Sequence, residues 1–182
     1  SELPTATLHT VGRKPDFLLK ARDQHQNPFI LHVEYQTSND SQMAYRMAEY
    51  FVLLLRKHRL NIQQYVIYIG TAKQKMQTKL HFPNLKYSYK IISLNEIKYG
   101  VFLKAETVEE KILAILGKFG GEDPVHVIQK ITAQILETCT SELEANKYLH
   151  QLGVLSQLRN FENQYYQAME SITSFFKIEK DY

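Results

Sequence analysis

The chain contains one cysteine, Cys139, so it cannot form an intrachain disulfide. No group of cysteines and histidines has the spacing of a structural zinc site. Apolar runs such as residues 51–55 are far shorter than the roughly 20 residues of a membrane-spanning helix. The first residues lack a basic segment followed by an apolar one, a pattern typical of secretion signals, so we expect no secretion. These absences predict a protein of a reducing compartment, by default the cytoplasm, that does not enter a membrane.

Neither sign of charge dominates the sequence, because 22 Lys and Arg residues stand against 19 Asp and Glu residues, a net charge of +3. So small an excess neither proves nor excludes a phosphate-bearing partner. Repeats, low-complexity tracts, Gly-rich phosphate loops and serine-nucleophile motifs are also missing. With 44% hydrophobic residues in 182 positions, the chain has the composition of a folded domain of ordinary size.

The first hundred residues mix strand and helix patterns. Residues 16–22 and 29–36 predict two strands joined by a polar turn, which favours an antiparallel hairpin. Apolar residues at helical spacing from Met43 onward predict an amphipathic helix with basic residues at its end. Residues 64–69 and 87–94 are rich in β-branched and aromatic side chains and predict two further buried strands.

The rest of the chain reads as helix. The predicted helices cover residues 106–116, Pro124 to about 138, a segment from the Ser141 and Glu144 capping box to Gly153, and residues 154–176. We therefore expect an α/β part over residues 1–104 and an all-helical C-terminal subdomain over residues 105–182.

Three polar residues form the sharpest chemical pattern. Glu34 and Gln36 share one face of the second predicted strand, and a hairpin brings Asp16 beside them. Two carboxylates are what Mg²⁺ takes from a protein when water and substrate phosphate fill its other positions. On spacing alone, such carboxylates are more often surface or ion-paired groups.

Four blocks in order carry a family resemblance: residues 14–19 (KPDFLL), 31–37 (LHVEYQT), 43–50 (MAYRMAEY) and 66–70 (VIYIG). Together they resemble the recombination-promoting nuclease and transposase-associated branch of the PD-(D/E)XK nuclease superfamily. The resemblance implies a restriction-endonuclease-like α/β core with a mixed, mainly antiparallel sheet flanked by helices. It also implies a metal-dependent DNA endonuclease linked to recombination or mobile elements.

The resemblance makes Asp16 and Glu34 the metal-binding carboxylates for Mg²⁺ or Mn²⁺, and it adds the main-chain carbonyl of Tyr35 as a ligand. Gln36 then occupies the catalytic position where most of the superfamily has lysine. A glutamine can hydrogen-bond but brings no positive charge to the attacking water. The family's first core helix has no counterpart in the residues before Asp16, which are predicted to be irregular or extended. The helix either lies upstream of Ser1 or is absent, and its absence would leave one sheet face uncovered.

Residues around this pattern are candidates for contact with DNA. Arg46 and Tyr50 share a helix face and could point towards the carboxylates or a DNA phosphate, or form an ion pair and a packing contact respectively. Lys14 could contact the scissile phosphate. His32 lies on the Glu34 face and is predicted to be packed or hydrogen-bonded rather than a ligand.

Two functions stay open at this point. The first is the metal-dependent endonuclease, which by analogy with its superfamily would work as a homodimer on DNA. The second is a nuclease-like fold without catalysis that binds nucleic acid or a protein partner. The glutamine at position 36, the missing first helix and the weak net charge favour the second.

Overall fold

The computed structural model describes residues 14–180, with side chains described to residue 172. Most of the segment before Asp16, predicted as irregular or extended, lies outside this range. The strands are β1 (Phe17–Arg22), β2 (Pro28–Gln36), β3 (Asn61–Tyr68), β4 (Lys79–Phe82), β5 (Leu85–Ser88) and β6 (Lys90–Ser93). The helices are α1 (Met43–His58), α2 (Tyr99–Leu103), α3 (Val108–Lys111), α4 (Pro124–Thr138), α5 (Glu142–Gln157) and α6 (Glu162–Lys180).

The main sheet has four strands in the order β1-β2-β3-β6. This confirms the α/β class, the mixed sheet and the antiparallel hairpin of β1 and β2. The prediction that the sheet is mainly antiparallel is wrong, because β2 with β3 and β3 with β6 are parallel pairs. Helix α1 causes the first of these, since it carries the chain back along the sheet before β3 begins.

Helix α1 covers one face of the sheet. Asp40 accepts the Gln42 N–H through Oδ1 at 2.8 Å just before the helix begins, and Arg59 ends it in the left-handed conformation with φ of 52°. Its buried residues are Met43, Ala44, Met47, Tyr50 and Leu54. This apolar face packs on Ile30 of β2 and on Ile62 and Val66 of β3, as helical spacing predicts.

The predicted strand over residues 87–94 is two strands in two different sheets. β5 pairs with β4 in a separate hairpin, whereas β6 joins the main sheet. Tyr89 lies between them, with its N–H donating to Thr78 O at 3.1 Å and its hydroxyl to Gln77 O at 2.8 Å. These contacts come from residues more than ten positions away, so the local pattern could not reveal the break.

The C-terminal region is helical, as predicted, although its boundaries differ. The predicted helix over 106–116 is α3 followed by a 3₁₀ turn, Ile112–Leu116. Gly153 does not end α5, because the helix continues to Gln157. A Cβ at Gly153 would lie 3.0 Å from the Tyr165 ring, so glycine here permits the close approach of α6. Ser141 caps α5 by accepting the Glu144 N–H at 3.2 Å.

The helical region has its own core. Its fully buried side chains include Ile115, Ile128, Ile131, Ile135 and Leu152. Ile67 at the end of β3 packs against this cluster and connects it to the main sheet. Within residues 14–180 no helix is both long enough and apolar enough to span a membrane.

Gly70, directly after β3, occupies a position where a side chain does not fit. A Cβ there would lie 2.2 Å from the main-chain oxygen of Thr37 and 2.6 Å from the Tyr68 ring. We expect Gly70→Ala to lower the free energy of unfolding by about 1–3 kcal/mol, the usual range for overpacking. Urea denaturation of the variant and the wild type measures this change in the free energy of unfolding. Gly100→Ala is the matched control, because nothing lies within 4 Å of its added Cβ, and an unchanged Gly70→Ala would contradict the prediction.

Candidate active site

The hairpin brings Asp16 and Glu34 together. Phe17 pairs with Val33, so Asp16 lies level with Glu34 at the end of the two strands. The Asp16 N–H donates to Glu34 Oε1 at 3.2 Å, and the Tyr35 N–H donates to Asp16 Oδ2 at 2.9 Å. Each carboxylate therefore accepts a main-chain N–H from the other side of the hairpin, and the two residues lie side by side, as the predicted hairpin requires.

Glu34 is a buried carboxylate that stays ionised. Its residue is only 5% exposed, and His32 Nε2 lies 2.9 Å from Glu34 Oε1. Burial acts to raise the pKa of Glu34, but the hydrogen bonds from His32 and the Asp16 N–H and the nearby Arg46 charge outweigh it, so the pKa is lowered. At neutral pH the Glu34 carboxylate is negatively charged, so its oxygens can bind a cation.

Arg46 points towards the carboxylates from α1. Its Nη2 donates to Gln36 Oε1 at 3.0 Å and lies 3.9 Å from Glu34 Oε2, while its Nη1 is 3.4 Å from Asp40 Oδ2. This arrangement matches the ion-pair alternative for Arg46. It also engages the side-chain oxygen of Gln36, which leaves the amide Nε2 of Gln36 to donate to water or phosphate.

Tyr50 ties the segment before β1 to α1. Its hydroxyl donates to the main-chain oxygen of Lys14 at 3.2 Å, and its ring meets the His32 ring edge-on at a centroid distance of 4.7 Å. At 6% exposure, Tyr50 matches the packing alternative. The Lys14 side chain is exposed beside Asp16, and its contact with a phosphate stays a prediction.

A buried polar chain behind Glu34 involves residues that the sequence analysis missed. His32 is fully buried, as its predicted packed or hydrogen-bonded role requires, and its Nδ1 lies 2.9 Å from Gln64 Nε2. The Tyr87 hydroxyl donates to Gln64 Oε1 at 2.7 Å. The signal for Gln64 was its position between Ile62 and Val66, where alternation predicts another buried side chain.

A lysine-bearing loop lies beside the site. The Asn39 side chain donates to Lys73 O at 3.0 Å and accepts the Lys75 N–H at 2.6 Å. Asn39 follows β2 by three positions, so these contacts hold the loop next to the end of β2 that carries Glu34 and Gln36. The side chains of Lys73 and Lys75 are exposed there.

The side-chain oxygens at this site fit a hard divalent cation better than they fit zinc. Glu34 Oε2 and Asp16 Oδ1 accept no hydrogen bond from the described residues, and both belong to carboxylates fixed by main-chain N–H groups. Among the described residues, no group of three or more His, Cys, Asp or Glu side chains converges on one point. A pair of carboxylates suits Mg²⁺, which keeps several waters. The main-chain carbonyl of Tyr35 stays a ligand implied by the resemblance alone.

Comparisons of the chain with protein-family models, with curated proteins and with solved structures found no match. The resemblance of its four sequence blocks to the nuclease superfamily therefore stays a prediction.

Proposed function

We propose that the protein is a metal-dependent DNA endonuclease in which Asp16 and Glu34 hold Mg²⁺ or Mn²⁺. The convergence of these carboxylates at one end of the hairpin, with a 3.2 Å hydrogen bond from Asp16 N–H to Glu34 Oε1, carries the proposal. When bound, such a metal polarises a phosphoryl oxygen and lowers the pKa of an attacking water.

The surrounding residues support a phosphodiester substrate. Lys14 is exposed next to Asp16, and the exposed Lys73 and Lys75 lie on the loop held by Asn39. Together they offer a basic border along which a nucleic acid backbone could lie. The amide Nε2 of Gln36 would orient the attacking water or a phosphate oxygen. Links to recombination and a homodimeric assembly rest on the sequence resemblance alone.

A plasmid assay tests the proposal directly. Supercoiled plasmid is incubated with the protein in Mg²⁺, in Mn²⁺ or in EDTA, and nicked and linear products are quantified. We expect cleavage in either metal and none in EDTA, with a rate that falls as salt rises because phosphate contacts release counterions. No cleavage in either metal, by protein that circular dichroism shows to be folded, would contradict the proposal.

A second candidate is a nuclease-like module that binds DNA without cutting it. It is favoured by Glu34, whose carboxylate already has His32 at 2.9 Å and Arg46 at 3.9 Å, and by the engagement of Gln36 with Arg46. This function predicts salt-dependent DNA binding, no turnover, and no change of the thermal midpoint on adding Mg²⁺. Isothermal titration with Mg²⁺ alone separates the candidates.

A further inference from the structure

We propose that His32 is a positioning residue that fixes the Glu34 carboxylate through a single, defined ring tautomer with the proton on Nε2. The inference rests on the proposed nuclease function and concerns the same site. His32 itself is fully buried and sits behind the carboxylate, so it acts on the reaction through Glu34 and touches no substrate.

The tautomer follows from the orientation of Gln64. Gln64 Nε2 lies 2.9 Å from the main-chain oxygen of Met47, which can only accept a hydrogen bond, so this atom must be the amide nitrogen. The second hydrogen of the same nitrogen then points at His32 Nδ1, 2.9 Å away. Nδ1 is therefore the acceptor. The Tyr87 hydroxyl completes the assignment by donating to Gln64 Oε1 at 2.7 Å.

This assignment leaves Nε2 as the protonated nitrogen of the His32 ring. Its N–H donates to Glu34 Oε1 at 2.9 Å, the same oxygen that accepts the Asp16 N–H. Both donors are on Oε1, which restricts rotation of the carboxylate. Oε2, which has Arg46 Nη2 3.9 Å away, is then the oxygen left to face a cation. The donor chain thus runs in one direction, from Tyr87 through Gln64 and His32 to Glu34.

Packing prevents the ring from leaving this orientation. The Tyr50 ring, which belongs to α1, contacts the His32 ring edge-on at a centroid distance of 4.7 Å, and His32 is fully buried. Groups that hydrogen-bond a metal ligand from behind typically change metal affinity or activity by roughly 10–100-fold when removed. We expect a loss of this size at His32, expressed in the metal dependence of the reaction.

The test compares His32→Leu with His32→Gln. Leucine removes both hydrogen bonds, whereas the glutamine amide can still accept from Gln64 and donate to Glu34. We expect His32→Leu to raise the Mg²⁺ concentration for half-maximal cleavage or to lower kcat by roughly 10–100-fold, with KM for plasmid unchanged, and His32→Gln to recover most of the loss. If His32 had only a structural role, replacing it would change the stability of the protein and leave the metal dependence of the folded protein unchanged.

Two further measurements keep the outcomes distinct. Long-range ¹H–¹⁵N NMR of the wild-type imidazole should show the Nε2–H tautomer, and an Nδ1–H tautomer would overturn the proposal. Should His32→Leu not fold, His32→Asn replaces it, because its shorter side chain cannot span both partners. If the folded His32→Leu or His32→Asn protein keeps the kcat and metal dependence of an active wild type, the role of His32 is overturned and the proposed function is not. An inactive wild type that binds no Mg²⁺ overturns the proposed function as well.

Discussion

Glu34→Gln should abolish metal-dependent plasmid cleavage, with a loss beyond the roughly 10–100-fold that removal of a supporting group causes. The change replaces a buried, ionised carboxylate, the proposed metal ligand, by a neutral amide of nearly the same shape. The amide oxygen can still accept from His32 and from the Asp16 N–H, so we expect the fold to persist. Nicking rates in saturating Mg²⁺, with circular dichroism as a check on folding, measure the effect.

Two variants sharpen this result. Asp16→Asn should give a similar loss, because Asp16 supplies the second carboxylate of the proposed site. The asparagine side-chain oxygen can still accept the Tyr35 N–H, so we expect the fold to persist. Glu49→Gln makes the same chemical change at an exposed position of α1 and should leave cleavage unaltered. A folded Glu34→Gln protein that cleaves at the wild-type rate would remove Glu34 from the metal site.

The hairpin and α1 could be predicted because their signals are local. The alternation in residues 29–36 and the polar turn before them fix the pairing of β1 with β2, and the spacing from Met43 fixes the buried face of α1. The parallel partners of β3 could not be predicted in the same way. They depend on where α1 returns the chain, and no short window of sequence records that path.

The candidate site shows the same division. Asp16 and Glu34 follow from strand alternation plus one hairpin, and the direction of Arg46 follows from its place on α1. What Arg46 contacts depends on Asp40 and Gln36, whose side chains meet it only in three dimensions. Gln64 is the instructive omission, because a glutamine at a buried position of a strand indicates a polar partner nearby, here His32 on the neighbouring strand.

Arg46→Met should destabilise the metal-free protein and increase its response to Mg²⁺. The Arg46 side chain is 20% exposed, so we expect a loss of about 2–3 kcal/mol in unfolding free energy, less than the roughly 3–5 kcal/mol for breaking a fully buried pair. Without the guanidinium, the negative charge of Glu34 and Asp40 is less compensated. A divalent cation bound by Asp16 and Glu34 would restore that compensation.

Urea denaturation with and without Mg²⁺ measures both effects, since a ligand that binds only the folded state stabilises it by RT ln(1 + [L]/Kd). We expect the Mg²⁺-induced gain to be larger in Arg46→Met than in wild type, because Arg46 no longer opposes the cation near Glu34. Arg56→Met, an exposed arginine in the last turn of α1, serves as the matched control. If Mg²⁺ stabilises none of the three proteins, the carboxylates do not bind it, and Arg46 is then the permanent partner of Glu34 in a module that does not cut DNA.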